Sequence, residues 1–505
     1  MLMLLRNAVW HLSGSALPAV VALATVPFLI QGLGLEGFGI LTLIGSVMGY
    51  FGVLDINLST GSIKYLAQFH AQKDQPRFSE TFWFGWFFYG LLGLSGGLLL
   101  YLFANRLILA FFTISPALHA DTVTAMQLAA LGFVLTQTQN YLLVVPQALQ
   151  RYDRSAQAEA FFGIAVNLVS AAVAMAGGGI HGVIAARVAV SAINGLWLVW
   201  LVQHLGVSLR PCWPRKDIRG LLMSFSAYAY LSRLAAMLQL HGDKLIVGAL
   251  AGPVALAFYT VPAQLASRIL GLCFRLSSVI YPRVSALAAI GQETELRLLY
   301  LDATRLFTYL NLMVLGVIAL AGEEFLQHWV GVAFVASGYP VLLLMTLGLM
   351  ADSLTNIPSL VNDGLGHPRV TGRFALARGL IGVALVYAGT LWAGIIGAAA
   401  AHALASVLMT ALFLLYVHGR TVPITLNDTL RQSWLPSLFV GVAAFVLLLP
   451  IKWLLQEHQA GTLGSLLFIG LALCALIAAG LLFIINSSER AALFAAARRW
   501  YPGKA

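Results

Sequence analysis

The sequence predicts an all-α polytopic membrane protein of about fourteen transmembrane helices. Three observations carry this. Of 505 residues, 60% are hydrophobic and only 10% are charged, whereas a soluble domain is about 25% charged. Mean hydropathy is +0.87 over the whole chain, and the apolar runs recur at the length of a span, about 20 residues. Basic residues fall in alternate connections, the pattern of a chain with one face held in the cytoplasm. Together these exclude a soluble enzyme on a single anchor, a disordered or collagen-like chain and a disulfide-rich secreted module.

The first apolar run follows Met1 to Arg6 and continues to Ile30 through Pro18 and Pro27. A signal peptide would show a small-residue cleavage site after a core of about 7–15 residues, so this run is read as an uncleaved first span. Hydropathy and charge breaks place the spans at 10–32, 37–60, 82–104, 122–145, 158–177, 182–204, 222–242, 245–272, 303–322, 339–361, 374–392, 395–417, 434–455 and 463–485. His241, Asp243 and Lys244 are expected to separate the seventh from the eighth. The long connection 278–302 reads either as a helix on the membrane surface or as a solvated connector.

The formal charge is +10. Nucleic-acid binding needs a soluble basic face, and here Lys and Arg sit at the ends of apolar runs, so no nucleic-acid partner is expected. One set of connections carries Lys64, Lys73, Arg77, Arg151, Arg154, Arg210, Arg215, Lys216 and Arg219, then Arg283, Arg297, Arg369, Arg373, Arg420 and Arg431. The tail adds Arg490, Arg498, Arg499 and Lys504. The opposite set offers little beyond Arg106, Arg187 and Lys452. Both termini are therefore expected in the cytoplasm. The outer connections are too short to build an external catalytic domain. Cys212, Cys273 and Cys474 have no disulfide or metal spacing.

A weak internal repeat is present. Leu29-Ile30-Gln31-Gly32 with Gly34 and Phe38-Gly39 is similar to Leu245-Ile246-Val247-Gly248 with Gly252 and Leu256-Ala257. Lys64 and Arg283 fall at comparable places after each stretch. The expected organisation is a six-helix bundle at 1–210, a second at 211–420, and two additional spans with a basic cytoplasmic tail at 421–505. Parallel repeats are a transporter plan, with the substrate site between the halves.

The N-terminal run is more specific than composition. Arg6-Asn7-Ala8-Val9-Trp10, Pro18, Pro27-Phe28-Leu29-Ile30, Gly34-Leu35-Glu36-Gly37-Phe38-Gly39 and Leu54-Asp55 through Lys64-Tyr65-Leu66 resemble the polysaccharide transporter family. These are the Wzx-type O-antigen and polysaccharide flippases of the multidrug/oligosaccharidyl-lipid/polysaccharide (MOP) superfamily. Asp243-Lys244-Leu245-Ile246-Val247-Gly248 through Tyr259 looks like the family's seventh-to-eighth span pattern, although Ala257-Phe258-Tyr259 departs from it where a Gly often precedes the aromatic. The resemblance implies two MOP-type bundles around a cavity open alternately to either face of the bacterial inner membrane. It implies an undecaprenyl-pyrophosphate-linked oligosaccharide as cargo, membrane lipids as surroundings, and a polysaccharide polymerase and other assembly proteins as partners.

Such transport breaks no bond. A sugar and a pyrophosphate must cross about 30 Å of hydrocarbon, and a polar cavity replaces their hydration. Cations at membrane depth attract pyrophosphate, arginine best of all because its fork grips two oxygens. The candidates are Arg233, Lys244, Arg268, Arg275, Arg305 and Arg378. A charge deep in a span costs at least ~2.5–3.5 kcal/mol and normally faces protein or water. The plainer reading of Arg275, Arg305 and Arg378 is snorkelling to the inner surface; Lys244 can instead pair with Asp243, and Arg187 is read as an interface anchor. Asp55, Asp352 and Asp302 are candidates for coupling to H⁺ or Na⁺. Against this, Asp55 can serve a helix break, and Asp352, beside Ser353, Thr355, Asn356 and Pro358, can mark a structural kink. His402 reads as packed rather than proton-carrying. Gln137, Gln139, Asn140, Asn167 and Asn194 can contact sugar hydroxyls or serve as interhelical glue, worth about 0.6 kcal/mol per bond. Trp83, Trp86, Phe87, Phe88 and Tyr89 read as an interfacial belt.

No Walker A, Gly-x-Ser-x-Gly or His-Glu-x-x-His signature occurs. Neither an enzyme, a metal site nor a cofactor is expected. The alternatives are a lipid II flippase, a multidrug exporter of the same superfamily and, in another class, a membrane glycosyltransferase or polymerase.

Overall fold

The computed structural model describes residues 2–205, 210–277, 280–457 and 461–485. The basic tail at Arg490, Arg498, Arg499 and Lys504, and the side chain of Arg275, lie outside the described residues. The described residues are helical apart from short connections. In order the helices are α1 (Leu2–Tyr50), α2 (Leu58–Ala71), α3 (Gln75–Phe111), α4 (Pro116–Leu142), α5 (Val144–Ala148), α6 (Tyr152–Met175), α7 (Gly179–Gln203) and α8 (Lys216–Ser277). Then come α9 (Tyr281–Ala289), α10 (Glu293–Val330), α11 (Ala333–Ser353), α12 (Asn356–Gly364), α13 (Pro368–Arg420), α14 (Leu426–Thr429), α15 (Leu435–Glu457) and α16 (Gly461–Ala479).

Among the described residues, ten helices are long and apolar enough to cross a membrane. Three of them fold back on themselves at a glycine. Within α8, Gly252 has φ 83° and ψ 174°. The Tyr259 hydroxyl donates to Asp243 Oδ2 at 3.0 Å, yet sixteen residues of unbroken helix would hold them about 24 Å apart. Within α1, Gly34 has φ 71° and ψ 172°, nearly the same conformation. Before it, Pro18 lies against Gly163 and Gly32 against Ala174, so the first segment runs parallel to α6. After it, Gly37 lies against Ile180, at the start of the antiparallel α7, so the chain has reversed. In α13, Gly394 has φ 58°, and a side-chain carbon at Gly397 would meet the Gly389 carbonyl oxygen at 2.0 Å. Only glycine occupies such positive φ without strain. With α16 added, the crossings reach the number that hydropathy predicts.

Two boundaries differ from expectation. The chain does not break at His241, Asp243 and Lys244; helix α8 continues through them and reverses at Gly252. Paired charges do not end a helix, whereas a glycine at φ 83° does. Asp55 is not inside a span. Helix α1 ends at Tyr50, a 3-10 turn covers Phe51–Leu54, and Asp55 follows in extended conformation. The connection 278–302 holds the short helix α9, and α10 begins as early as Glu293.

The chain forms two compact units, Met1–Val261 with Ala375–Ala398, and Pro262–Phe374 with Ala399–Ala505. In the first, Tyr89 and Tyr141 are fully buried and stack at 5.2 Å. Tyr141 fits only because position 85 is glycine: a side-chain carbon there would sit 2.0 Å from its ring. Its hydroxyl donates to the Thr81 carbonyl at 3.1 Å. In the second unit the last helices are held on α10 by hydroxyl-to-backbone bonds. Ser433 donates to Leu301 and Ser437 to Arg305, each at 2.7 Å, and Tyr309 donates to Leu476 at 2.6 Å.

Candidate functional site: a cationic cavity in the first unit

A cavity of about 450 Å³ opens inside the first unit. Each wall is one helix face, because residues four apart share a face. The second segment of α1 contributes Gly45, Gly49 and Met48 with the adjoining Gly52; α4 contributes Gly132, Thr136 and Asn140, with Gln137; α7 contributes Ile184, Arg187, Val188 and Ser191; α8 contributes Arg233, Met237 and His241. Three glycines on the α1 face keep that wall low. The imidazole of His241 fills the notch at Gly49, where a side-chain carbon would lie 2.2 Å from its ring.

Among the described residues the lining carries two guanidinium groups and an imidazole, and no carboxylate. Arg187 Nε donates to Ser170 Oγ at 2.9 Å. Among the described residues it has no acidic partner. Arg233 lies 3.9 Å from Asp55, with side-chain exposures of 36% and 7% respectively, so the acid is buried behind the wall and the base faces the space. Gln139 braces α4 on α7. Its Nε2 donates to the Ser191 hydroxyl and carbonyl, each at 2.8 Å, and its Oε1 accepts from Asn194 at 2.9 Å. Asn167 instead donates to the Gly163 carbonyl on its own helix. The cavity therefore presents fixed positive charge beside amide and hydroxyl groups, inside apolar helices. That combination suits an anion bearing hydroxyls.

Of the six cations singled out in the sequence, Arg233 lines this cavity. Lys244 turns to Asp243 at 3.4 Å and to the Leu240 carbonyl. Arg378 is half-buried in the part of α13 belonging to the first unit. The other described cations are in the second unit: Arg268 is exposed, and Arg305 pairs with Asp302 at 2.9 Å. Asp352 also lies there, one residue before the end of α11, and accepts from Ser406 at 3.2 Å. His402 packs beside Gly348. The aromatic run on α3 interlocks, Phe82 stacking on Trp86 at 6.1 Å and Phe87 meeting Trp213 at 5.8 Å.

Arg187 and His241 are the lining groups that sequence reasoning did not place here. A signal was available. Arg187, Ser191 and Asn194 recur at helical spacing in an otherwise Ala-, Val- and Ile-rich helix, which makes one polar face.

Helices reversed at glycines around a polar, cationic cavity define a polytopic helical membrane protein. The sequence matches the family described as "Polysaccharide biosynthesis protein" over residues 33–337, and the chain belongs to that family. It is 24% identical over 427 residues to a Shigella flexneri protein named "Putative O-antigen transporter", covering 83% of this chain and 98% of that protein. Its fold is that of the lipid II flippase MurJ in an inward closed conformation, with TM-score 0.69, 14% identity and coverage of 92% of this chain and 98% of that one. It is equally the fold of a multidrug resistance MATE family transporter of the MOP superfamily, inward-facing, with TM-score 0.67, 15% identity and coverage of 82% and 98%. The chain is thus a helical membrane protein of the polysaccharide biosynthesis family, with the fold of the MATE and MurJ structures.

Proposed function

We propose that the protein translocates an undecaprenyl-pyrophosphate-linked oligosaccharide across the bacterial inner membrane by alternating access, for surface-polysaccharide assembly. The observation that carries this reading is a cavity with Arg187 and Arg233 on its walls and no carboxylate among its described lining residues. Arg187 and Arg233 replace water around the phosphates by charge-assisted hydrogen bonds, and Thr136, Gln137, Asn140 and Ser191 meet sugar hydroxyls. A volume of about 450 Å³ suits the phosphosugar end of the cargo, within the roughly 300–1,000 Å³ of small-molecule sites. The lipid tail stays in the bilayer. The relative named for O-antigen supports this cargo.

In this reading both termini are cytoplasmic, by the basic loops. The segments 1–210 and 211–420 are parallel repeats, a view supported by the shared backbone conformation at Gly34 and Gly252. Lys244, Arg268, Arg275, Arg305 and Arg378 add to the chain's attraction for the anionic cargo, Asp352 and Asp302 serve H⁺ or Na⁺ coupling, and a polymerase receives the cargo. The test is translocation of the lipid-linked oligosaccharide in reconstituted vesicles. Arg187→Ala and Arg233→Ala should each lower it at least tenfold at equal protein level, and wild-type rates in both would remove the site. Complementation of cells lacking either the oligosaccharide flippase or the lipid II flippase separates those two cargoes. A multidrug exporter of organic cations is disfavoured by the two guanidinium groups, with no carboxylate among the described lining residues.

A further inference from the structure

Asp55 is held in an unequal way. Its Oδ1 accepts two short hydrogen bonds, from the Asn57 backbone N–H at 2.8 Å and from the Tyr89 hydroxyl at 2.7 Å. Its Oδ2 faces Arg233 Nη2 at 3.9 Å, beyond hydrogen-bond length. The acid cannot travel. Asn57 is fixed by its left-handed backbone, φ 59°. Tyr89 is fully buried, stacked on Tyr141, and its oxygen also accepts from the Ser59 N–H at 3.2 Å. Arg233 is the mobile partner: a long side chain, over a third exposed, lining the cavity. A loose ion pair between a clamped acid and a mobile base is a pair that a second anion can break.

We propose that Asp55 is a built-in counter-anion that competes with the phosphates of the cargo for Arg233. The proposal rests on the anionic-cargo reading of the cavity. In the empty carrier Arg233 leans on Asp55, and its charge is balanced. An entering pyrophosphate draws the guanidinium across the cavity with a better, two-oxygen contact. On release the carboxylate takes the arginine back. Affinity is thereby held down and the unloaded carrier does not carry an unbalanced charge at Arg233. Tyr89 acts as a positioning residue: by occupying Oδ1 it keeps the acid from closing fully on the arginine.

The two residues therefore have opposite predicted signs, which general damage to the fold does not produce. Asp55→Asn keeps an oxygen for Asn57 and Tyr89 but removes the competing charge; it should tighten binding of inorganic pyrophosphate to the purified, full-length protein in nanodiscs about tenfold. Tyr89→Phe frees Oδ1, lets the acid close on Arg233, and should weaken binding several-fold. In an Arg233→Ala background neither change should matter. Titration calorimetry reads all of these, with melting temperature as the control for folding. If Arg233→Ala weakens pyrophosphate binding but Asp55→Asn does not raise it, the counter-anion role is wrong while the cavity reading stands. If wild type and Asp55→Asn both fail to bind pyrophosphate, both readings fall.

Discussion

The second segment of α1 meets the start of the second segment of α8 at Gly39, and replacing Gly39 with alanine tests how tightly the helices of the first unit are closed. The added carbon would lie 1.9 Å from the Pro253 carbonyl oxygen, 2.5 Å from its carbon and 3.0 Å from its Cα. Ordinary nonbonded contact is about 3.5 Å, so the helices must part by about 1.6 Å. Both surfaces are backbone, and no side chain can rotate away. Forced overpacking costs about 1–3 kcal/mol. Against it stands a gain of about 1 kcal/mol from replacing a helical glycine. Gly90 on α3 is the matched control, since nothing lies within 4 Å of a carbon added there and only the gain applies. Gly39→Ala should therefore melt below wild type and Gly90→Ala above it, a split of about 1–3 kcal/mol read as a few degrees in detergent. Because the displaced second segment of α1 also carries Gly45, Met48 and Gly49 of the cavity wall, Gly39→Ala should bind pyrophosphate more weakly as well. If Gly39→Ala melts as high as Gly90→Ala, the close crossing inferred here is wrong.

Two further outcomes follow from local geometry. Gly49→Ala should leave the fold intact, because the group it meets, the His241 ring at 2.2 Å, can swing aside; pyrophosphate affinity should shift several-fold, and the shift should vanish in a His241→Ala background. In the connection before α8, burial and then the nearby Glu80 charge raise the pKa of Cys212. Its maleimide labelling at pH 7 should be slower than that of an ordinary cysteine, should climb as pH rises past the usual thiol range, and should speed up in Glu80→Gln; equal rates in that variant and wild type would contradict the assignment.

Composition and periodicity made the helical membrane class legible, because burying apolar surface in lipid leaves its mark on every span. The reversals at Gly34 and Gly252 were half visible: both glycines stand in the repeated stretch, but charge at Asp243 and Lys244 was a louder signal than a single glycine. Hydropathy weighs a charge as exposed, and it cannot see that Tyr259 and Lys244 satisfy Asp243 from within the fold. The cavity was legible as a type of chemistry, cations with amides, and less so as a place. Arg233 could be singled out because it interrupts an apolar run. Arg187 could not be told from an interface anchor without knowing that α4 and α8 face it across open space. Gly45, Gly49 and Gly52 gave no chemical signal at all, since their contribution is the room they leave.

The Asp55–Arg233 pair also constrains which acid can drive transport. A cation arriving at Asp55, whether H⁺ or Na⁺, releases Arg233, and an anion arriving at Arg233 vacates Asp55 for the cation. Each raises the affinity of the other, and linkage makes the effect reciprocal. Ligands that favour each other's binding travel together. Coupling through Asp55 would therefore make cation and cargo move in the same direction, whereas an outward cargo driven by an inward cation gradient needs mutual exclusion. The acid observed on Arg233 is Asp55, whereas Asp352 accepts from Ser406 and Asp302 pairs with Arg305 in the second unit. In vesicles with an imposed gradient, driven translocation should survive in Asp55→Asn, with slower release, and should be lost in Asp352→Asn or Asp302→Asn. Loss of gradient dependence in Asp55→Asn alone would overturn this and make the buried acid that follows α1 the coupling group.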